Sequence, residues 1–221
     1  MLKAVLFDMD GVIVDTEPLH RKAYFKMFDE LGIEVDEAFY STFTGRSTQS
    51  VCSSIIERYG LSLSWQEVAS IKRTYFKNYF DTDPDFDLLP GVLPLIKHYF
   101  ENGIKLVLAS SAHINTINWV FEKFDLEKYF VAKISGADLK ESKPNPEIFI
   151  KAVELADTER KHCMVIEDST NGILAAHRAE IFCAGYRSEH STGQDYSKAN
   201  IVVDVFSDLE IQKVQQFFVD K

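Results

Sequence analysis

The chain has 221 residues, 46% of them hydrophobic and 26% charged, which suits a soluble globular protein with one substantial core, or a core plus a small partner domain. Its 34 acidic against 24 basic residues give a net charge of −10, and an acidic surface repels a nucleic-acid backbone. No apolar stretch approaches the roughly 20 residues needed to span a bilayer, so neither nucleic acid nor membrane is expected as a partner.

The amino terminus meets an acid at Asp8, too early for a secretory signal, and residues 4–7 read as a first strand. Residues 16–83 then show helical patterns and no strand: apolar residues recur at helical spacing over 18–31 and 47–59. Ser64 and Glu67 form a capping-box sequence that opens a helix running to Phe80. From there strand-length apolar runs at 105–109, 131–134, 163–166, 182–186 and 201–203 alternate with helical patterns at 94–102, 114–124, 146–155, 171–179 and 209–218. Asn145-Pro146 reads as an N-cap followed by a first-turn proline. Several strands are continuous rather than alternating, as expected when both faces are covered. The pattern predicts an α/β fold, a Rossmann-like parallel sheet core with helices on both faces over 1–15 and 84–221, and an inserted all-helical cap over 16–83. The three cysteines, Cys52, Cys163 and Cys183, show no CxxC spacing. With two of them inside apolar runs, a reducing, cytoplasmic location is expected.

The chemistry collects at the ends of the predicted strands. The first gives Asp8-Met9-Asp10-Gly11, the second Ser110-Ser111, the third is followed by Ser142-Lys143-Pro144-Asn145-Pro146, and the fourth gives Glu167-Asp168-Ser169. Ligands of open parallel sheets bind at the carboxyl ends of strands. Each segment alone has an ordinary reading as a turn or a helix start, but together they place two carboxylate pairs, a hydroxyl and an ammonium group at one edge. If Asp8, Asp10, Glu167 and Asp168 converge, each pair of charges about 4 Å apart costs about 4 kcal/mol at an effective dielectric near 20. A divalent cation removes that repulsion. Oxygen-only ligands favour a hard ion, and few carboxylates with waters and phosphate suit Mg2+. Zinc is disfavoured because no cysteine–histidine constellation is present.

These four segments resemble, in order and spacing, the motifs of the haloacid dehalogenase superfamily, and over nearly the whole chain they are most similar to its beta-phosphoglucomutase-like and sugar-phosphate phosphatase members. The resemblance implies that Asp8 is a nucleophile that becomes phosphorylated and Asp10 the general acid and base. It implies that Ser110 and Lys143 hold the transferring phosphoryl group, and that Asp8, the Asp10 carbonyl, Asp168 and Glu167, the last directly or through water, bind magnesium. It also implies substrate-side roles for Gly11, Thr16, His20, Gly45, Arg46, Ser47, Ser111 and His113. Ordinary readings stand beside several of these: Thr16 as an N-cap, Arg46 as a solvated arginine and His113 as a helix-start residue. Thr48 and Tyr75 stand where beta-phosphoglucomutase has the arginine and lysine that hold a second phosphate, although Arg46, Lys72 and Arg73 are near. The expected activity is therefore hydrolysis of a small organic phosphate, a sugar phosphate first, by a monomer. The alternatives are beta-glucose 1-phosphate mutation and pyrophosphate hydrolysis. A phospho-accepting receiver is disfavoured by chain length and the helical insertion, and a degenerate binding protein by the intact motifs.

Overall fold

In the computed structural model, residues 1–43, 46, 48–188, 191 and 193–218 are described. The chain divides into two compact units, Met1–Asp15 with Asp87–Lys221, and Thr16–Phe86. The second junction lies beyond the expected 83/84. Its cause is local: the Phe86 ring packs on Phe80, 5.0 Å between centroids, and so stays with the helical unit.

The first unit is built on strand β1 (Ala4–Phe7), followed after the insertion by helix α5 (Val92–Glu101; α1–α4 belong to the other unit), β2 (Lys105–Ser110), α6 (Ile114–Lys123), β3 (Ala132–Ser135), α7 (Glu147–Leu155), β4 (Cys163–Glu167), α8 (Thr170–Arg178), β5 (Phe182–Tyr186) and β6 (Ile201–Val203). All pairings in the six-stranded sheet are parallel, in the order β3-β2-β1-β4-β5-β6. The period-two rule explains the layering. Ala4 and Leu6 face a cluster with Phe149 and Ala152 of α7 and Ile173 and Ala176 of α8. Phe7, of opposite parity, meets Tyr99 of α5 and Phe130 edge-on. Both faces of β1 are thus covered, and its four residues are buried without a polar alternation. The strand order reverses between β1 and β4, where sheets of this kind bind ligands.

Two local expectations need correcting. The helix after β3 starts at Glu147, so Pro146 is its N-cap rather than its first-turn residue. Asn145 still satisfies an open donor, since its side chain accepts from Glu147 N at 2.9 Å. The last predicted helix, 209–218, breaks up: a 3-10 turn covers Phe206–Leu209, helix α9 only Ile211–Val214, and a second 3-10 turn Gln215–Phe218. Such short turns serve to seat Leu209, Val214 and Phe218 in the core.

The helical unit holds α1 (Glu17–Leu31), α2 (Glu37–Ser41), α3 (Thr48–Tyr59) and α4 (Trp65–Thr82). The capping box forms as expected, with Ser64 and Glu67 exchanging side-chain and backbone hydrogen bonds. Helix α2, which the periodicity did not reveal, is only five residues long, with Asp36 as its N-cap. This unit has its own core around Met27, Phe28, Val51, Cys52, Ile55 and Val68.

Candidate active site

Asp8 follows β1 directly and is held in the sheet's ladder, its amide donating to Ile166 O at 3.0 Å. Lys143 reaches it from the segment after β3, through a cis Lys143–Pro144 peptide. The ammonium is almost fully buried and all three of its protons are used. It donates to Asp8 Oδ1, to Glu167 Oε1 at 2.7 Å and to the carbonyl of Ala109 at 2.9 Å. Its charge also lies 4.9 Å from the centre of the Phe149 ring.

Glu167 ends β4 and is buried. Its Oε2 accepts from Ser169 N at 3.0 Å and Ser169 Oγ at 2.9 Å. Gly172, in the first turn of α8, makes room for this carboxylate: a Cβ there would overlap it. Asp168 accepts from the hydroxyl of Ser191. Gly11 has a φ of +79°, open to glycine, and a Cβ on it would run into the Asp168 carboxylate. The Asp10–Val14 bridge closes the turn that carries Asp10 and Gly11. The expected cluster of Asp8, Lys143, Glu167 and Asp168 therefore assembles at one end of the sheet, within hydrogen-bonding or electrostatic reach.

The electrostatics are those of too much negative charge for one ammonium. Burial raises the Asp8 carboxyl well above its usual range; Lys143 pulls it down, while Glu167 and Asp168 push it up again. Burial and then Glu167 raise Asp168 to about 7, with Ser191 and Lys143 opposing. Burial pulls the Lys143 pKa down, but Asp8 and Glu167 outweigh it and hold it above the ordinary value.

The fit to a divalent cation is one of donor type and charge, not of a preformed cage. Among the described residues, no three His, Cys, Asp or Glu side chains stand as a ligand set. Each of these carboxylates has hydrogen-bond partners: Lys143 takes one oxygen of Asp8 and one of Glu167, Ser169 takes the other oxygen of Glu167, and Ser191 donates to one oxygen of Asp168. The donors are all oxygen and carry excess negative charge, as a hard cation requires.

The remaining candidates divide. Ser110 ends β2 and is buried, its Oγ accepting from Ala112 N at 3.1 Å. Ser111 is exposed, and His113 is the N-cap of α6, its Nδ1 accepting from Asn115 N at 3.1 Å. Thr16 occupies the N-cap position of α1 without a side-chain cap bond. Gly45 and Ser47 lie outside the described residues. Within the helical unit, His20, Tyr24, Tyr40, Arg46, Thr48 and Lys72 line a cavity of about 210 Å³. Arg46 is folded onto α3 and bound by Ser50 Oγ, the Ser50 carbonyl and Ser54 Oγ, so it is not simply solvated. The His20 ring stacks on Phe76 at 4.4 Å, and its Nδ1 meets the Lys72 ammonium. Because an ammonium can only donate, His20 is neutral with its proton on Nε2. Burial and Lys72 hold its pKa well below the ordinary value.

The sequence reading missed the loop after β5. Besides Ser191, it contributes Tyr196, whose hydroxyl donates to the Asp168 carbonyl at 3.0 Å, and Gln194, which accepts from Thr170 N and Oγ1 at 2.8 and 2.9 Å. No motif or period marks these residues.

Comparison with known proteins bears on the fold and the family. The chain is 29% identical to beta-phosphoglucomutase of Bacillus subtilis over 97% of its own length and 95% of the relative's. It is 31% identical to a phosphorylated carbohydrates phosphatase of Thermotoga maritima, covering 81% and 82%. Among solved structures, CbbY from Rhodobacter sphaeroides in complex with phosphate superposes with a TM-score of 0.82 at 25% identity, covering 95% and 96% of the two chains. Beta-phosphoglucomutase from Clostridium difficile gives 0.78 at 29%, covering 99% and 97%. The family model described as haloacid dehalogenase-like hydrolase matches residues 5–186, and the chain is an enzyme of that family.

Proposed function

We propose that the chain is a magnesium-dependent phosphatase of small organic phosphates, sugar phosphates first, acting through a phosphorylated Asp8. The observation that carries the reading is the buried Lys143 ammonium shared between Asp8 and Glu167 at the end of β1 and β4. A solvent-excluded carboxylate kept in reach of a fixed cation suits a nucleophile better than a structural ion pair, because two further carboxylates beside it keep the site short of positive charge.

In this reading an Asp8 oxygen attacks phosphorus, the bond from phosphorus to the ester oxygen breaks, and Asp10 gives that oxygen its proton. Water then attacks the phosphorus of the aspartyl-phosphate, Asp10 takes a proton from it, and inorganic phosphate leaves with Asp8 restored. Lys143 and the Ser110 hydroxyl hold the non-bridging oxygens in place. Asp8, the Asp10 carbonyl and Asp168 would hold the magnesium ion, with Glu167 joining directly or through water; the ion supplies positive charge against the carboxylates and the phosphoryl oxygens. In this reading the helical unit selects substrate through Thr16, His20 and Arg46. A monomer in a reducing, cytoplasmic compartment completes the reading, supported by three buried free cysteines.

Mutase activity is the second reading. Arg46 and Lys72 line the same cavity as His20, which favours a second anion, and a mutase is among the relatives. Against it, Thr48 opens α3 and the Tyr75 hydroxyl is bound by Glu30, so neither position offers a cation. A panel of sugar phosphates with magnesium separates the two. Phosphate release that disappears in Asp8→Asn supports hydrolysis, and isomerised sugar without phosphate release refutes it.

A further inference from the structure

The loop after β5 is fastened to the Asp168–Thr170 segment at four points. Ser191 Oγ donates to Asp168 Oδ2, Tyr196 donates to the Asp168 carbonyl, Gln194 Oε1 accepts from Thr170 N and Oγ1, and Asp195 N donates to Thr170 Oγ1 at 2.8 Å. Gly185 of β5 is part of the fit, since a Cβ there would crowd the Tyr196 ring, 2.7 Å from its Cδ1. A hydroxyl has one proton. Ser191 spends its proton on the Asp168 carboxylate, so the 2.7 Å contact between the Ser188 and Ser191 hydroxyls must run from Ser188 to Ser191. Ser188 is buried, and its Oγ also accepts from Ser191 N at 3.1 Å. The result is a directed chain, Ser188 to Ser191 to Asp168, that fixes one carboxylate oxygen and leaves the orientation of the other determined.

We infer that Ser191 is a positioning residue that sets the divalent-cation affinity of the site by fixing the rotation of the Asp168 carboxylate. The inference rests on the cation-binding reading above. It assigns to an unremarkable loop serine the job that groups behind a ligand perform in metal sites generally, where their removal costs about 10- to 100-fold in affinity. Gln194 and Tyr196 fasten the loop, while Ser191 donates to the carboxylate itself.

The test is calorimetric titration of MgCl2 into the metal-free full chain, with no turnover involved. Ser191→Ala should weaken magnesium binding by about tenfold or more, while its melting temperature in EDTA stays at the wild-type value, and Ser191→Thr should restore the affinity. Gln194→Ala, which removes two of the three hydrogen bonds between the loop and Thr170, should weaken binding in the same direction. Unchanged or tighter binding by Ser191→Ala overturns the inference, as does a lowered melting temperature in EDTA with magnesium affinity intact. If the wild type itself binds no magnesium, the cation-site reading falls and this inference with it. If the wild type binds and Ser191→Ala binds equally well, only the role of Ser191 falls.

Discussion

Replacing Lys143 with methionine keeps the side chain's volume and removes its charge. The ammonium lies 2.7 Å from Glu167 Oε1 and in direct contact with Asp8 Oδ1. At an effective dielectric near 20, one unit pair at that distance is worth about 6 kcal/mol. Desolvation of the three buried groups cancels much of this, so the pair itself is a weak stabiliser. Deleting only the cation, however, leaves Asp8 and Glu167 buried and uncompensated, and such losses run to about 3–5 kcal/mol. Urea unfolding of wild type and Lys143→Met in EDTA should show a drop of that size. The drop should shrink when Glu167→Gln is added, because the second change removes one of the orphaned charges. Coupling of at least about 1 kcal/mol between the two changes is expected. A loss below about 1 kcal/mol, or strict additivity with Glu167→Gln, would refute the claim that the ammonium neutralises this cluster.

Gly172→Ala should disrupt the site from behind, because the new methyl takes the space of the Glu167 carboxylate; turnover should fall at least tenfold, and wild-type turnover in this variant would show that Glu167 has another place to go. Ile55→Ala, fully buried in the helical unit's own core, should cost about 2–5 kcal/mol. Hydrogen exchange should speed up across Thr16–Phe86 while the sheet amides keep their protection, and equal acceleration in both units would argue against separate cores. His20 sets a pH dependence whose sign follows from its lowered pKa. Below the ordinary imidazole value near 6.5 the unfolded chain takes up a proton that the folded chain refuses, so stability falls as the pH drops through that window. His20→Gln should flatten this dependence in thermal melts between pH 5 and 7.5, and an unchanged slope would place the imidazole in contact with solvent.

The strand ends were legible for a physical reason. Parallel strands covered on both faces must be short unbroken apolar runs, so the first polar residue after each run marks where the sheet opens. That rule located Asp8, Ser110, Glu167 and Asp168. Lys143 came instead from the Ser142–Pro146 segment that follows the third strand, and the way its three protons are divided among Asp8, Glu167 and Ala109 depends on packing that no periodicity encodes. Helix α2 escaped because five residues are too few to establish a 3.6-residue period. Ser191, Gln194 and Tyr196 escaped because a loop that works through single hydrogen bonds leaves no repeating mark. His113 carried both of its readings to the structure, where its ring nitrogen caps a helix.

The strand order has a consequence for how the molecule comes into being. β1 precedes the other five strands of its sheet in the chain, yet it is central, and both its neighbours, β2 and β4, emerge only after the whole of Thr16–Phe86. Asp8 and Lys143 are 135 positions apart. The helical insert is one continuous stretch with its own apolar centre, so on the ribosome it can condense while the first strand waits unpaired. The charged pocket is then among the last features to close, when β4 docks beside β1, and a nascent chain stopped before Cys163 would carry Asp8 and Lys143 without Glu167 and Asp168.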